Sequence, residues 1–126
     1  MKFWQVLHRF PTLTAAGFTD PTDPNFAKWR AELTTRPDDI EAAQQWVSQF
    51  PKSTTARLSS YHAKHILEYD TGRYVDEGSF IVGAILAGFT PGTSAHGPVG
   101  FLNVDRRALN RYIKSKPALA LLGLAA

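Results

Sequence analysis

The chain has 126 residues, 44% of them hydrophobic and 20% charged, a composition that excludes an intrinsically disordered protein and fits one globular domain. It contains no cysteine, which excludes disulfides, thiolate metal sites and a cysteine nucleophile. The formal net charge of +3 permits a nucleic-acid partner without requiring one. We therefore predict a single domain over residues 1–126.

The first 24 residues predict little regular structure. Residues 1–10 mix apolar, aromatic and polar side chains in a pattern that fits either a helical face or a strand. Residues 11–24 hold three prolines and a glycine among threonines and aspartates, which predicts a loop or an extended arm.

Five helices are predicted in chain order from capping residues and from the 3.6-residue spacing of apolar side chains. The expected spans are 24–33, 37–50, 55–69, 77–87 and 106–115. Asp23, Asp76 and Asp105 are suited to cap the first, fourth and fifth helices. Ser59 or Ser60 would cap the third if it starts later. The fourth is apolar on nearly all sides, which is typical of a central, buried helix.

The remaining segments are predicted as connections. Residues 90–98 are rich in turn-forming residues and predict a flexible loop, and residues 99–104 predict a short strand or an extended connection. Residues 117–126 form an apolar C-terminal tail. The expected fold is mainly α, a compact single-domain bundle of about five helices with room for a short strand or hairpin. An α+β fold is the second choice.

No targeting segment is predicted. Arg9 and Pro11 interrupt the apolar start of the chain, and no small-residue cleavage site follows it, so we expect no signal peptide. Residues 80–89 are the longest apolar stretch outside the tail, far short of the roughly 20 residues that a membrane helix needs. We therefore expect a soluble cytoplasmic protein without a membrane partner.

The predicted fifth helix carries the clearest charge signal. Residues 104–126 contain five basic residues and one acidic residue, a net charge of +4, whereas the rest of the chain has nine basic and ten acidic residues, a net charge of −1. Arg107, Arg111 and Lys114 lie on one helical face, with Arg106 and Lys116 next to it. Such a face is typical of a phosphate-contacting element. The alternative is a solvated face near a helix C-terminus, where cations are favourable.

A second signal is a group of polar and aromatic residues within the predicted third helix. It comprises Arg57, Ser59, Ser60, Tyr61, Lys64 and His65. Hydroxyls, cations and a ring suit contacts with phosphates or bases, and they equally suit capping and packing. We predict Lys64 and His65 as a second contact patch for nucleic acid or a protein partner.

His62, His65 and Glu68 lie within one face of the same predicted helix and are weak candidates for a metal site, because histidine and carboxylate are zinc and iron ligands. Their spacing differs from the His-Glu-x-x-His motif of metalloproteases. The alternative is that both histidines are surface or half-buried side chains and that Lys64 pairs with Glu68. No metal or other cofactor is predicted.

Enzyme motifs are absent from the sequence. It has no Gly-x-Ser-x-Gly nucleophile elbow and no phosphate loop of the Gly-x4-Gly-Lys type. Ser60 with His62 or His65 could mimic a nucleophile and its base, but one helical turn rarely gives the geometry. No catalytic residue is predicted, and the sequence favours a binding protein over an enzyme.

One segment resembles a known group of proteins. It reads Ser60-Tyr61-x-x-Lys64-His65-x-x-Glu68, then Tyr74-Val75, Phe80-Ile81 and Gly88-Phe89. This pattern resembles small uncharacterised bacterial proteins encoded on phages, plasmids and integrative elements. The resemblance implies a mobile genetic element, a setting in which small non-enzymatic proteins bind nucleic acid or block a host defence complex.

The resulting hypothesis is a non-enzymatic binding protein of a mobile genetic element. It would contact nucleic acid, or a nucleic-acid-binding host complex, through its basic C-terminal helix, and an inhibitor of the anti-CRISPR type is one form. A small metal-dependent enzyme using His62, His65 and Glu68 is one alternative. The other is an oligomerisation module, with a homodimer formed through the tail, which has too much apolar surface for a free terminus.

Overall fold

A computed structural model describes residues 1–125, so Ala126, the last residue of the predicted tail, lies outside the described residues. Over residues 1–125 the chain forms seven helices and five strands. The helices are α1 (Phe3–Arg9), α2 (Phe26–Leu33), α3 (Pro37–Val47), α4 (Ser60–Thr71), α5 (Glu77–Leu86), α6 (Arg106–Ser115) and α7 (Pro117–Leu121). The strands are β1 (Leu13–Thr14), β2 (Gly17–Phe18), β3 (Leu58–Ser59), β4 (Pro91–Ser94) and β5 (Gly97–Leu102).

The strands form two small antiparallel sheets. β1 and β2 make a hairpin of two strands, and the other sheet has the order β3-β5-β4. In that sheet Leu102 of β5 lies opposite Leu58 of β3 on one side and Pro91 of β4 on the other. Residues far apart in the sequence are therefore neighbours at this sheet.

The prediction of a mainly α bundle of five helices is wrong, because the structure is an α+β fold. The α+β fold that was the second choice from the sequence is the one observed. Three of the five strands contain only two residues, which is too short for an alternating apolar and polar pattern to appear in the sequence. β1 with β2 and β4 with β5 form local hairpins, whereas β3 pairs with a segment more than 40 residues away in the sequence. β1 and β2 lie within residues 11–24, and β4 lies within residues 90–98.

Three helices begin at capping side chains, but the predicted cap of the first helix is wrong, because α2 begins at Phe26 after Asn25 and Asp23 instead accepts a hydrogen bond from Asn25 N. Asp76 accepts a 2.7 Å hydrogen bond from Ser79 N at the start of α5, and Asp105 accepts one of 3.1 Å from Ala108 N at the start of α6. α3 begins at Pro37, as predicted. α4 begins at Ser60 rather than at residue 55, because Ser59 accepts the capping hydrogen bond.

α5 is the central helix, as its apolar composition predicts. Its residues from Gly78 to Ile85 are buried. A Cβ atom on Gly78 would lie 1.8 Å from the carbonyl oxygen of Thr14, and one on Gly83 would lie 2.7 Å from that of Ile40. β1 and α3 therefore pack directly against the backbone of α5, which requires glycine at both contacts.

The C-terminal segment folds onto the same core. Leu109 and Ile113 of α6 and Leu119 of α7 are buried in the larger apolar cluster, which also contains residues of α3, α4 and α5. Leu121 keeps 89% of its surface exposed, so the tail is docked on only one side. No helix within residues 1–125 is both long enough and apolar enough to cross a membrane.

Candidate functional site

α6 presents a basic face to solvent. Leu109 and Ile113 are buried with exposures of 1% and 0%, so they fix the inward side of the helix. Arg107, Arg111 and Lys114 lie on the outward side and are exposed. The arrangement that the sequence spacing predicts, with cations outward and apolar residues inward, is the one in the structure.

The cations of this region lack carboxylate partners. Within residues 1–125, no carboxylate pairs with Arg57, Arg106, Arg107, Arg111 or Lys114. Elsewhere Arg36 is 2.8 Å from Asp76, and Arg73 is 2.8 Å from Asp39. Ion pairing therefore neutralises Arg36 and Arg73, whereas the cations around α6 stay available for an anionic ligand.

Lys116 differs from the other cations of the C-terminal segment. Its Nζ lies 3.9 Å from Asp70 Oδ1 and 5.1 Å from the centre of the Tyr112 ring. Half of the side chain is exposed. Lys116 is thus partly neutralised by a neighbouring carboxylate. It is a weaker candidate for ligand contact than Arg107 or Arg111.

Arg57 joins the basic face through backbone pairing. Residues 51–53 run antiparallel to residues 103–105, since Ser53 N donates to Asn103 O at 2.7 Å and Asp105 N donates to Pro51 O at 3.0 Å. β3 then pairs with β5 immediately after residue 57. This double attachment places Arg57 beside the N-terminal end of α6.

Two adjoining pockets lie between these segments. The larger has a volume of about 400 Å³ and is lined by Ser53, Thr55, Arg57, Val104, Asp105, Arg106 and Arg107. The smaller, of about 180 Å³, is lined by Arg57, Leu58, Ser59, His62, Phe101 and Arg106. Arg57 and Arg106 line both, so the two pockets form one cleft, which we call the arginine cleft.

His62 and Phe101 add two further features to the arginine cleft. The Nε2 atom of His62 is buried and has no hydrogen-bond partner within residues 1–125. Phe101 is 46% exposed, although it belongs to a paired strand. A buried polar atom without a partner is unfavourable in isolation, and it lies with the exposed ring at the smaller pocket, which Arg57 and Arg106 also line.

The predicted second patch has a different character. Lys64 has only 7% of its side chain exposed, and its Nζ lies 3.4 Å from both carboxylate oxygens of Glu68. The rings of Tyr61 and Tyr74 lie 5.6 and 5.2 Å from that Nζ. His65 is more exposed, and its Nδ1 lies 3.1 Å from Glu68 Oε1. Lys64 is therefore placed for an internal ion pair rather than for contact with a ligand.

The three candidate metal ligands do not form a metal site, although His65 and Glu68 are in contact. Within the described part of the chain, no three His, Asp or Glu side chains form a group that could hold a metal ion. Glu68 faces Lys64 and also accepts a 3.1 Å hydrogen bond from Val75 N. Because an ammonium group occupies the carboxylate that a metal would need, His65 and Glu68 are better explained as structural residues.

Sequence reasoning missed Phe101 and did not connect Arg57 with α6. A signal for Phe101 exists, because side chains alternate along a strand and the next residue, Leu102, is fully buried. Arg57 was among the polar residues singled out by composition. Only the pairing of residues 51–59 with residues 101–105 brings it to the arginine cleft.

Comparisons of the chain with protein families, with curated proteins and with solved structures find no match. The site is therefore interpreted from its own residues and their geometry.

Proposed function

We propose that the protein binds nucleic acid, alone or within a nucleoprotein complex, through the exposed face of α6. The observation that supports this most directly is the set of exposed cations on that face, which have no carboxylate partner within residues 1–125. A helix anchored by Leu109 and Ile113 presents them in fixed positions. Phosphate groups are the ligands that such a surface recognises.

The strength of such an interaction depends on salt. Each phosphate contact releases bound counterions, so the logarithm of the association constant falls by about 0.9 per contact for each tenfold rise in salt on duplex DNA. Four cations lie on or next to the face, namely Arg106, Arg107, Arg111 and Lys114. We therefore expect a slope of about −3 to −4 for a complex in which each of them meets a phosphate.

The biological setting is a further part of the proposal. The resemblance of residues 60–89 to small proteins of phages, plasmids and integrative elements favours a role in a mobile genetic element. An inhibitor of a host defence complex, of the anti-CRISPR type, is one form, because a basic face would imitate the positively charged channel of such a complex and compete for its nucleic acid. Either form places the protein in the bacterial cytoplasm, where nucleic acid is accessible.

A titration with labelled oligonucleotides tests the proposal. Fluorescence anisotropy is measured with a single strand and with a duplex of the same sequence over a series of salt concentrations. Arg107→Gln, Arg111→Gln and Lys114→Gln should each weaken binding and make the slope shallower by about 1. Lys28→Gln is the matched control, because Lys28 is exposed on α2 and its loss changes the net charge equally.

The proposal of direct binding fails if neither oligonucleotide binds at low salt. It also fails if the control variant changes the slope as much as the α6 variants do. In that case, net charge would govern binding, and the face of α6 would have no particular role.

A further inference from the structure

We infer that the arginine cleft binds a nucleotide of single-stranded nucleic acid, with the base against Phe101 and the phosphate among the arginines. This inference rests on the proposed function, since it names the ligand class and adds a subsite next to the α6 face. The observation behind it is the convergence of an exposed ring, two arginines shared by adjoining pockets and an unpartnered histidine nitrogen.

Phe101 is suited to stack on a base. Its neighbour Leu102 is fully buried, and both residues pair with β3, so the exposed ring is carried by a fixed strand. Aromatic side chains beside a basic groove are the usual stacking platforms of proteins that bind single strands. In a duplex the base faces are covered by neighbouring bases, so a ring on this surface discriminates in favour of unpaired nucleotides.

The larger pocket is suited to the phosphate. Arg57, Arg106 and Arg107 surround it, together with the hydroxyl-bearing residues Ser53 and Thr55. Guanidinium groups bind phosphate oxygens with paired hydrogen bonds, and hydroxyls add single ones. The acidic residue at this pocket, Asp105, already accepts a hydrogen bond from Ala108 N as the cap of α6. Three guanidinium groups against one carboxylate leave the pocket with a net positive charge.

The smaller pocket is suited to the base. Phe101 and Leu58 are its apolar components, and Arg57 and Arg106 are its cationic ones. The ring of His62 lines the same pocket, and its Nε2 has no partner within residues 1–125. A buried polar atom without a partner is unfavourable, and a hydrogen-bonding edge of a base would supply the missing partner.

The test compares single-stranded and duplex ligands in one assay. The probes are an oligothymidylate and an oligouridylate of about 15 nucleotides, which is within the site sizes of single-strand-binding folds. A duplex of the same length is the third probe. Phe101→Leu should weaken binding of the single strands about 5-fold to 100-fold and leave duplex binding unchanged, while Phe101→Tyr should keep wild-type affinity. Trp4→Leu is the control, an equally conservative loss of an exposed ring on α1.

Arg57→Gln provides a second, independent measurement. It should weaken binding of the single strands and reduce the salt slope by about 0.7, the value for a phosphate contact on a single strand. Oligothymidylate and oligouridylate together distinguish DNA from RNA as the preferred source of the nucleotide. Unfolding midpoints of all variants, measured by circular dichroism, should match that of the wild type.

The outcomes separate this inference from the proposed function. Equal losses for single strands and duplex in Phe101→Leu, or no loss for either, would overturn the nucleotide subsite and leave nucleic-acid binding by α6 standing. If the wild-type protein binds none of the three probes, both the inference and the proposed function are overturned. A preference for single strands that Phe101→Leu abolishes and Phe101→Tyr retains supports the inference.

Discussion

The hydroxyl group of Tyr112 on α6 donates a hydrogen bond to Oδ2 of Asp70 on α4. The same oxygen accepts a 2.9 Å hydrogen bond from the indole Nε1 of Trp46 on α3. One carboxylate therefore ties three helices together. Because Tyr112 lies beside Ile113 and between Arg111 and Lys114 in the sequence, this contact also fixes which side of α6 carries the cations.

Replacement of Asp70 by alanine should destabilise the protein by about 2–4 kcal/mol, since it leaves two donors without an acceptor. Trp46 is buried, with 8% exposure, so its indole N–H cannot turn to bulk water at no cost. The partly exposed ion pair with Lys116 adds little. Urea unfolding followed by circular dichroism measures the difference in free energy.

Asp38→Ala is the matched control for Asp70→Ala. Asp38 is an exposed carboxylate in the first turn of α3, where its interaction with the helix dipole is worth about 0.3–1 kcal/mol. If both variants unfold at the same urea concentration, then the three-helix contact has no stabilising role.

The stability of the protein should fall in alkaline solution in a way that depends on Tyr112. Burial raises the pKa of Tyr112, and the hydrogen bond to Asp70 and its negative charge raise it further, whereas Lys116 acts in the opposite direction. The unfolded chain therefore releases the phenolic proton near pH 10, while the native protein still holds it. The contribution of Tyr112 to the free energy of unfolding is complete below about pH 10. It is lost as the pH rises through the pKa of Tyr112 in the native protein.

The change in unfolding free energy between about pH 9 and pH 11 should be smaller in Tyr112→Phe than in the wild type. Tyr69→Phe is the control, because Tyr69 is 58% exposed. A Tyr112→Phe variant that loses stability with pH as steeply as the wild type would contradict this assignment.

Five of the seven helices within residues 1–125 were predictable because their signals are local, whereas α1 lies in a segment whose pattern also fits a strand and α7 lies in the predicted tail. Asp76 and Asp105 cap the helices that the sequence assigns to them, and Gly72 ends α4 with a φ of 72°. A capping side chain acts on backbone groups only three residues away, so a short window of sequence contains the cause. The start of α4 is less well determined by the sequence, because the chemistry of capping allows either Ser59 or Ser60 to be the cap.

The strands and the arginine cleft were not predictable to the same degree. Leu58 pairs with Leu102, and Ser53 hydrogen-bonds to Asn103, so each contact joins segments that the sequence separates widely. The basic face of α6 follows from spacing within one helix. The presence of Arg57 beside that face follows only from long-range pairing, which no local pattern encodes.

Lys64 is a case in which composition and structure point to different roles. A lysine next to a histidine and a tyrosine suggests contact with phosphate, as the sequence predicted. In the structure its Nζ is covered by the rings of Tyr61 and Tyr74 and faces the carboxylate of Glu68. The Glu68 side chain is itself only 16% exposed, so the pair is largely removed from solvent.

Lys64→Met should therefore destabilise the protein by about 2–3 kcal/mol, because it leaves the Glu68 carboxylate without a compensating charge in a largely buried position. The double variant with Lys64→Met and Glu68→Gln should recover most of that loss, since the amide oxygen still accepts from Val75 N and carries no charge. Urea unfolding of the four members of this cycle measures both effects.

Nucleic-acid affinity should be the same in Lys64→Met as in the wild type under conditions where both are folded. A loss of affinity as large as that of Arg111→Gln, without a loss of stability, would instead assign Lys64 to the ligand.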